Sequence, residues 1–120
     1  MKKLSKAQQS IVNKYKQIFE VIDRYETYED FFDNSKGEQN YFTTAYRCNA
    51  FFNTSDKYKE RDLKVWKEYE ASFFKAKNER IIGVYAKTET VKALEKAGYI
   101  RIVKEAQWKG DFETVQFLTF

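Results

Sequence analysis

A metal-dependent nuclease can work with carboxylates and lysine alone, given an acid-x-lysine triplet on a strand beside a further acidic residue. In this chain of 120 residues that set is approached only at Asp62-Leu63-Lys64. The apolar spacing around it predicts a helix, on which the two charged side chains diverge instead of converging on one ion. Histidine is absent, so imidazole acid-base catalysis and the usual triads are excluded, and no GxSxG, P-loop, GxGxxG or HExxH string occurs. Cys48 is the single cysteine. It cannot form an internal disulfide, has no histidine to act as its base, and belongs to no CxxC or Cys/His cluster that could hold zinc. The reading is a non-enzyme with no catalytic residue, no metal site and no cofactor, suited to a reducing cytoplasm.

What remains is the chemistry of charge and of flat apolar surface. Lysine and arginine number 22 against 18 aspartates and glutamates, a net charge of +4 that permits nucleic-acid binding without demanding it. The surplus is uneven: Met1 to Arg24 carries six basic and two acidic residues, whereas Tyr25 to Asn53 carries two and five and would repel phosphate. Aromatic residues make up 18%, mostly nine Tyr and eleven Phe, which suit a packed core and a flat contact surface equally well. The start MKKLSKAQQS lacks the apolar core of a signal peptide, and no stretch approaches a membrane span, so a cytoplasmic protein with no membrane partner is expected.

Several elements must position these groups. Ser5 caps a helix predicted to run to about Arg24, with Ala7, Ile11, Tyr15, Ile18, Val21 and Ile22 along one stripe and Lys6, Lys14 and Lys16 opposite. Thr27 caps a short turn, YEDFFD, that sets Phe31 and Phe32 against the core, and DNSKGEQ follows as a loop. From Tyr41 to Phe52 neither helical nor strand periodicity dominates. NTSD then signals a long helix from Asp56 to about Lys77, with Leu63, Trp66, Tyr69, Phe73 and Phe74 on its apolar face and Trp66 expected to be buried. The last third reads most plainly. Ile81 to Ala86 is a strand; Thr88 caps a helix carrying Val91, Leu94 and Ala97, and Gly98 ends it in a left-handed turn. Tyr99 to Lys104 and Phe112 to Leu118 form a hairpin that joins the first strand in one antiparallel sheet. Leu94 and Ile100 are expected in the seam between helix and sheet.

The string TxxxKALEKxGxI within Thr88 to Ile100, followed by the hairpin, resembles the end of a winged helix-turn-helix domain: its last helix, the glycine turn and the wing. LSKAQQSIVNKYKQI resembles the first helix of the same modules in small proteins of phages and mobile elements of low-GC Gram-positive bacteria. The resemblance covers these two stretches, and the fold it implies is α+β, a single winged-helix-like domain over 1–120 with an inserted aromatic-rich segment over about 25–80. It implies a small regulator or accessory protein that binds duplex DNA, with Thr88, Thr90, Lys92 and Lys96 on the helix and Lys104, Trp108 and Lys109 on the wing. Each of these is equally readable as ordinary surface, and Trp108 as a partly exposed hairpin tip packed against the helix. Glu89 and Glu95 on the same helix oppose phosphate. By the same resemblance such scaffolds also act as anti-CRISPR-like inhibitors, whose partner is a host protein or ribonucleoprotein. An exposed Tyr and Phe patch would favour the inhibitor, and a continuous lysine stripe the DNA binder.

Overall fold

The computed structural model describes residues 3–38, 42–52 and 62–120. Helix α1, Lys6–Asp23, starts as expected: the Ser5 hydroxyl accepts from the Gln8 amide at 3.2 Å and the Gln8 side chain returns to the Ser5 N–H at 2.9 Å, a reciprocal cap. Its buried stripe is Val12, Tyr15, Ile18, Phe19, Val21 and Ile22. Ala7, expected on that stripe, is exposed, while Leu4 and Ile11 pack partly against the core and Val12 and Phe19 take up the seam. Thr27 caps α2, Tyr28–Asn34, by accepting from the Asp30 amide, and Tyr28, Phe31 and Phe32 are buried. The predicted loop therefore begins at Ser35, two residues later than DNSKGEQ suggests, and its Gln39 lies outside the described residues.

The ambiguous stretch is helical: α3 is Thr43–Cys48, and a 3₁₀ turn follows at Ala50–Phe52 with Phe51 and Phe52 buried. Helix α4, Leu63–Phe74, is capped by the Asp62 carboxylate accepting from the Val65 amide, and continues as a π turn over Lys75–Glu79. Its start is thus at Leu63, and the NTSD signal assigned to the start lies outside the described residues. Leu63 is 65% exposed, a correction to the expected apolar face: it is the first helical residue and projects beyond the packing that encloses Phe73. Trp66 is half-buried and not enclosed, its ring 4.7 Å from that of Tyr28 and 5.0 Å from that of Phe32.

Strand β1 is Ile81–Val84, helix α5 is Thr88–Lys96, and the hairpin consists of β2, Ile100–Lys104, and β3, Glu113–Phe117. The sheet is antiparallel in the order β1-β3-β2, with Ile82 opposite Val115 and Ile100 opposite Phe117. All three strands are shorter than expected at one or both ends. The architecture is α+β. Leu94 and Ile100 are buried and Gly98 has φ +88°, as the sequence leads one to expect. Thr88 is not the cap; Lys87 stands there with no side-chain hydrogen bond, and Thr88 is the first helical residue.

Side chains of Ile82, Val84, Val115 and Phe117 face α1 and α5, where Phe117 stacks on Tyr15 with centroids 5.3 Å apart. The opposite face, with Gly83 and Thr114, meets α3 and α4. A second cluster joins Tyr28, Phe31, Phe51 and Phe73, with the Phe31 and Phe73 rings 4.9 Å apart; aromatic pairs of this kind contribute about 0.5 to 1.5 kcal/mol beyond their buried area. Arg80 ties the end of the π turn to α1. Among the described residues it is the non-glycine residue at positive φ, 58°, a conformation disfavoured for side chains with a Cβ. Its guanidinium donates to both Asp23 oxygens, at 2.8 and 2.6 Å, and lies 4.8 Å from the Phe19 ring centroid, which offsets that strain.

Candidate nucleic-acid interface

Helix α5 and the β2–β3 hairpin carry every position that sequence assigns to nucleic acid. Lys92, Lys96, Lys104, Trp108 and Lys109 are all exposed, Thr88 is exposed, and Thr90 is half-buried. Lys92 and Lys96 lie one turn apart on the same flank of α5. Lys92 Nζ is 4.0 Å from Glu105 Oε1, which places that flank beside the base of the hairpin turn. Trp108, at 68% exposure, does not pack back on the helix; it stands further into solvent than expected. Tyr85, 50% exposed and not singled out from sequence because it reads as part of a strand, lies next to the same turn: its hydroxyl is 4.0 Å from where a Cβ on Gly110 would stand.

Between Lys87 and Asp111 there are six basic and four acidic side chains. Most of the acids have protein partners. Glu95 Oε2 accepts from the Ile102 amide at 2.7 Å, Asp111 Oδ2 from the Gln107 amide at 2.9 Å, and Glu105 is the partner of Lys92. The repulsion anticipated from Glu95 is therefore reduced, since its carboxylate is directed to the outer edge of β2. Glu89 remains exposed in the first turn of α5.

Glu113 changes the role of Thr88. This carboxylate is buried, accepts from Thr88 Oγ1 at 3.1 Å and from the Ala106 amide, and so ties the start of α5 to the hairpin turn. A phosphate seated at the helix start would meet that negative charge. Thr88 is thus a strut for the turn, and the exposed lysines on the flank of α5, Lys96 and the Glu105-paired Lys92, are the groups left to meet an anion. No local pattern marks Glu113 for this role, because its partners are 25 and seven residues away.

The rest of the surface offers less chemistry. A cleft of about 360 Å³ lies between α4 and the face of the sheet opposite α5, lined by Cys48, Tyr69, Ser72, Lys75, Gly83 and Phe112 among others. Burial pushes the Cys48 thiol up to about 11, against a smaller opposing pull from Lys14, so it is protonated at neutral pH and a poor nucleophile. Lys14 is not on a fully solvated face: partial burial lowers its ammonium below the ordinary lysine value. Asp62 is occupied as the α4 cap. Among the described residues no group of three or more metal-ligating side chains converges, and no helix is long and apolar enough to cross a membrane. No protein-family model, curated protein or solved structure matches this chain.

Proposed function

We propose that the chain binds nucleic acid, duplex DNA in particular, through the flank of α5 and the β2–β3 turn. The observation that carries this reading is the sorting of charge on that unit: Lys92, Lys96, Lys104 and Lys109 are exposed while Glu95 and Asp111 are hydrogen-bonded to backbone amides of the hairpin. Cations arranged in this way displace counterions from phosphates.

The strand order β1-β3-β2, with a helix leading directly into the hairpin, supports a winged-helix-like architecture. A helix-turn-helix joins two helices through a short turn, whereas α5 is preceded by β1. The contact surface is accordingly a strand-helix-hairpin unit, with the hairpin carrying a larger share than a wing beside a recognition helix. A role as a regulator or accessory protein of a phage or mobile element follows from the sequence resemblance alone.

The inhibitor reading has less support, because among the described residues of the aromatic middle Tyr28, Phe31, Phe32, Phe51, Phe52 and Phe73, which could have formed a protein-binding patch, are buried. The test is a titration of non-specific duplex DNA at two salt concentrations. Affinity that falls with salt at a slope of about 0.9 per phosphate contact supports the proposal, and no binding near physiological salt refutes it.

A further inference from the structure

We infer that Trp108 is a stacking platform for an unpaired base, so that the hairpin turn takes nucleic acid with accessible single-stranded bases in addition to the duplex met by the flank of α5. The inference rests on the nucleic-acid reading above and adds to it the form of the ligand.

An exposed tryptophan is useful for stacking only if it is held in place, and the turn that carries Trp108 is braced at several points. The Asp111 amide donates to the Trp108 carbonyl at 3.1 Å, the Gln107 amide to Asp111 Oδ2 at 2.9 Å, and the Gln107 side chain to the Glu105 carbonyl at 2.8 Å. The Ala106 amide donates to buried Glu113, and Gly110, at φ +92°, supplies the left-handed residue the turn needs. The ring is therefore presented to solvent from an ordered backbone, which leaves only its own side-chain rotation to be fixed on binding.

Its surroundings select the ligand. Lys109 is its neighbour in the chain, Lys104 lies at the end of β2, and Tyr85 offers a second exposed ring beside Gly110. Cations around aromatic faces suit a base flanked by phosphates, since every base has a face to stack and every linkage a charge. Paired bases within a duplex expose edges, not faces, and a tryptophan ring is too broad to reach a face without unstacking the helix. Occupation of the α5 start by Glu113 removes the usual helix-terminal phosphate site and leaves this turn as the better-equipped surface.

The experiment uses the full chain with Trp66→Phe, so that Trp108 is the only tryptophan. A fluorescein-labelled fifteen-nucleotide oligothymidylate and a labelled random duplex of equal length are titrated; the anisotropy of the label reports binding for every variant, and Trp108 emission is followed in the parent. The single strand is expected to quench Trp108 emission, and Trp108→Ala to weaken single-strand binding by about 5- to 150-fold while changing duplex binding less than about twofold. Trp108→Phe should restore most of the loss, and thermal melts of both variants should match the parent because the side chain is exposed. Binding of the single strand without quenching, or equal losses on both ligands, overturns this inference and leaves the nucleic-acid reading standing. Binding of neither ligand overturns both.

Discussion

Asn49 and Gly83 are joined through both polar atoms of the asparagine side chain and both polar atoms of the glycine backbone. The Gly83 amide donates to Asn49 Oδ1 at 2.8 Å, and Asn49 Nδ2 donates to the Gly83 carbonyl at 3.0 Å. One side chain thus closes the edge of β1 where a further strand would otherwise pair. The second Asn49 hydrogen goes to the Ala45 carbonyl at 3.1 Å, and the Tyr15 hydroxyl adds a bond to the Gly83 carbonyl at 2.7 Å. Helix α1, the end of helix α3 and the sheet converge on this one residue.

Removing the amide should therefore be costly. Asn49→Ala leaves the Gly83 amide without its partner in a buried setting, and leaves its carbonyl with Tyr15 alone; the expected loss is about 1 to 3 kcal/mol, the cost of one unsatisfied buried group. Asn49→Asp should be at least as damaging at neutral pH, because a carboxylate oxygen would face the Gly83 and Ala45 carbonyls. Urea unfolding measures both. A loss under about 0.5 kcal/mol for either variant would show that the edge does not depend on this link.

Gly83 itself is required by close approach, not by its backbone angles. A Cβ there would stand 2.8 Å from Phe112 Cδ2 and 3.2 Å from the Cys48 Cβ. Gly83→Ala is expected to destabilise by about 1 to 3 kcal/mol through overpacking. Combining it with Phe112→Leu should recover part of that loss, a coupling that a double-mutant cycle reads directly. Strict additivity of the two changes would place the clash elsewhere.

Asp23 supplies a pH dependence. The hydrogen bond from Arg80, helped by the Arg80 and Lys77 charges, lowers the Asp23 pKa below its ordinary 3.8 in spite of partial burial. A depressed carboxylate pKa stabilises the fold above the unfolded value, and that contribution is lost as pH falls through the folded one. Asp23→Asn should accordingly be less stable than the parent at pH 7 by about 0.5 to 1 kcal/mol, small because the pair is partly screened by solvent. The gap should close as the pH drops below 3.8. Chemical denaturation at pH 7, 4 and 3 tests this, and a gap that persists unchanged at the lowest pH removes the ion pair as its cause.

For the proposed nucleic-acid surface, replacing Lys92, Lys96 and Lys109 together with alanine should weaken duplex binding and reduce the salt slope by up to about 3 units, about one per lost contact. The melting temperature should hardly change, since all three are exposed. Lys92 alone should contribute least, being shared with Glu105. An unaltered salt slope in the triple variant would mean that phosphate is met elsewhere on the chain.

The elements legible in sequence are those whose causes are local. Ser5 with Gln8, Thr27 with Asp30, and Gly98 after Lys96 each announce a helix end within four residues, and each is found in place. Leu63 misleads for the same reason: it has the spacing of a core residue, but whether a helix end is covered depends on what reaches it. α3 could not be read because its order comes from across the chain, through Asn49 and a strand 34 residues on. The lysines of the site were visible as types and spacing. What sorts them from the acids beside them, namely the bonds of Glu95 to Ile102 and of Glu113 to Thr88 and Ala106, exists only once the hairpin has folded back on α5.

The bond from the Ile102 amide to Glu95 also bears on how the chain behaves in a crowded cell. Because β2 ends the sheet, its outward backbone would serve as a template for a strand of another molecule and so as a start for fibre growth. With Glu95 hydrogen-bonded to that edge, Arg101 and Lys104 charged beside it, and an irregularity in pairing between Ile102 and Lys104 breaking the flat ladder, an incoming strand meets an occupied donor, like charges and a bend. A carboxylate that counts against phosphate on α5 is thereby a guard on the edge where another copy of the chain would pair.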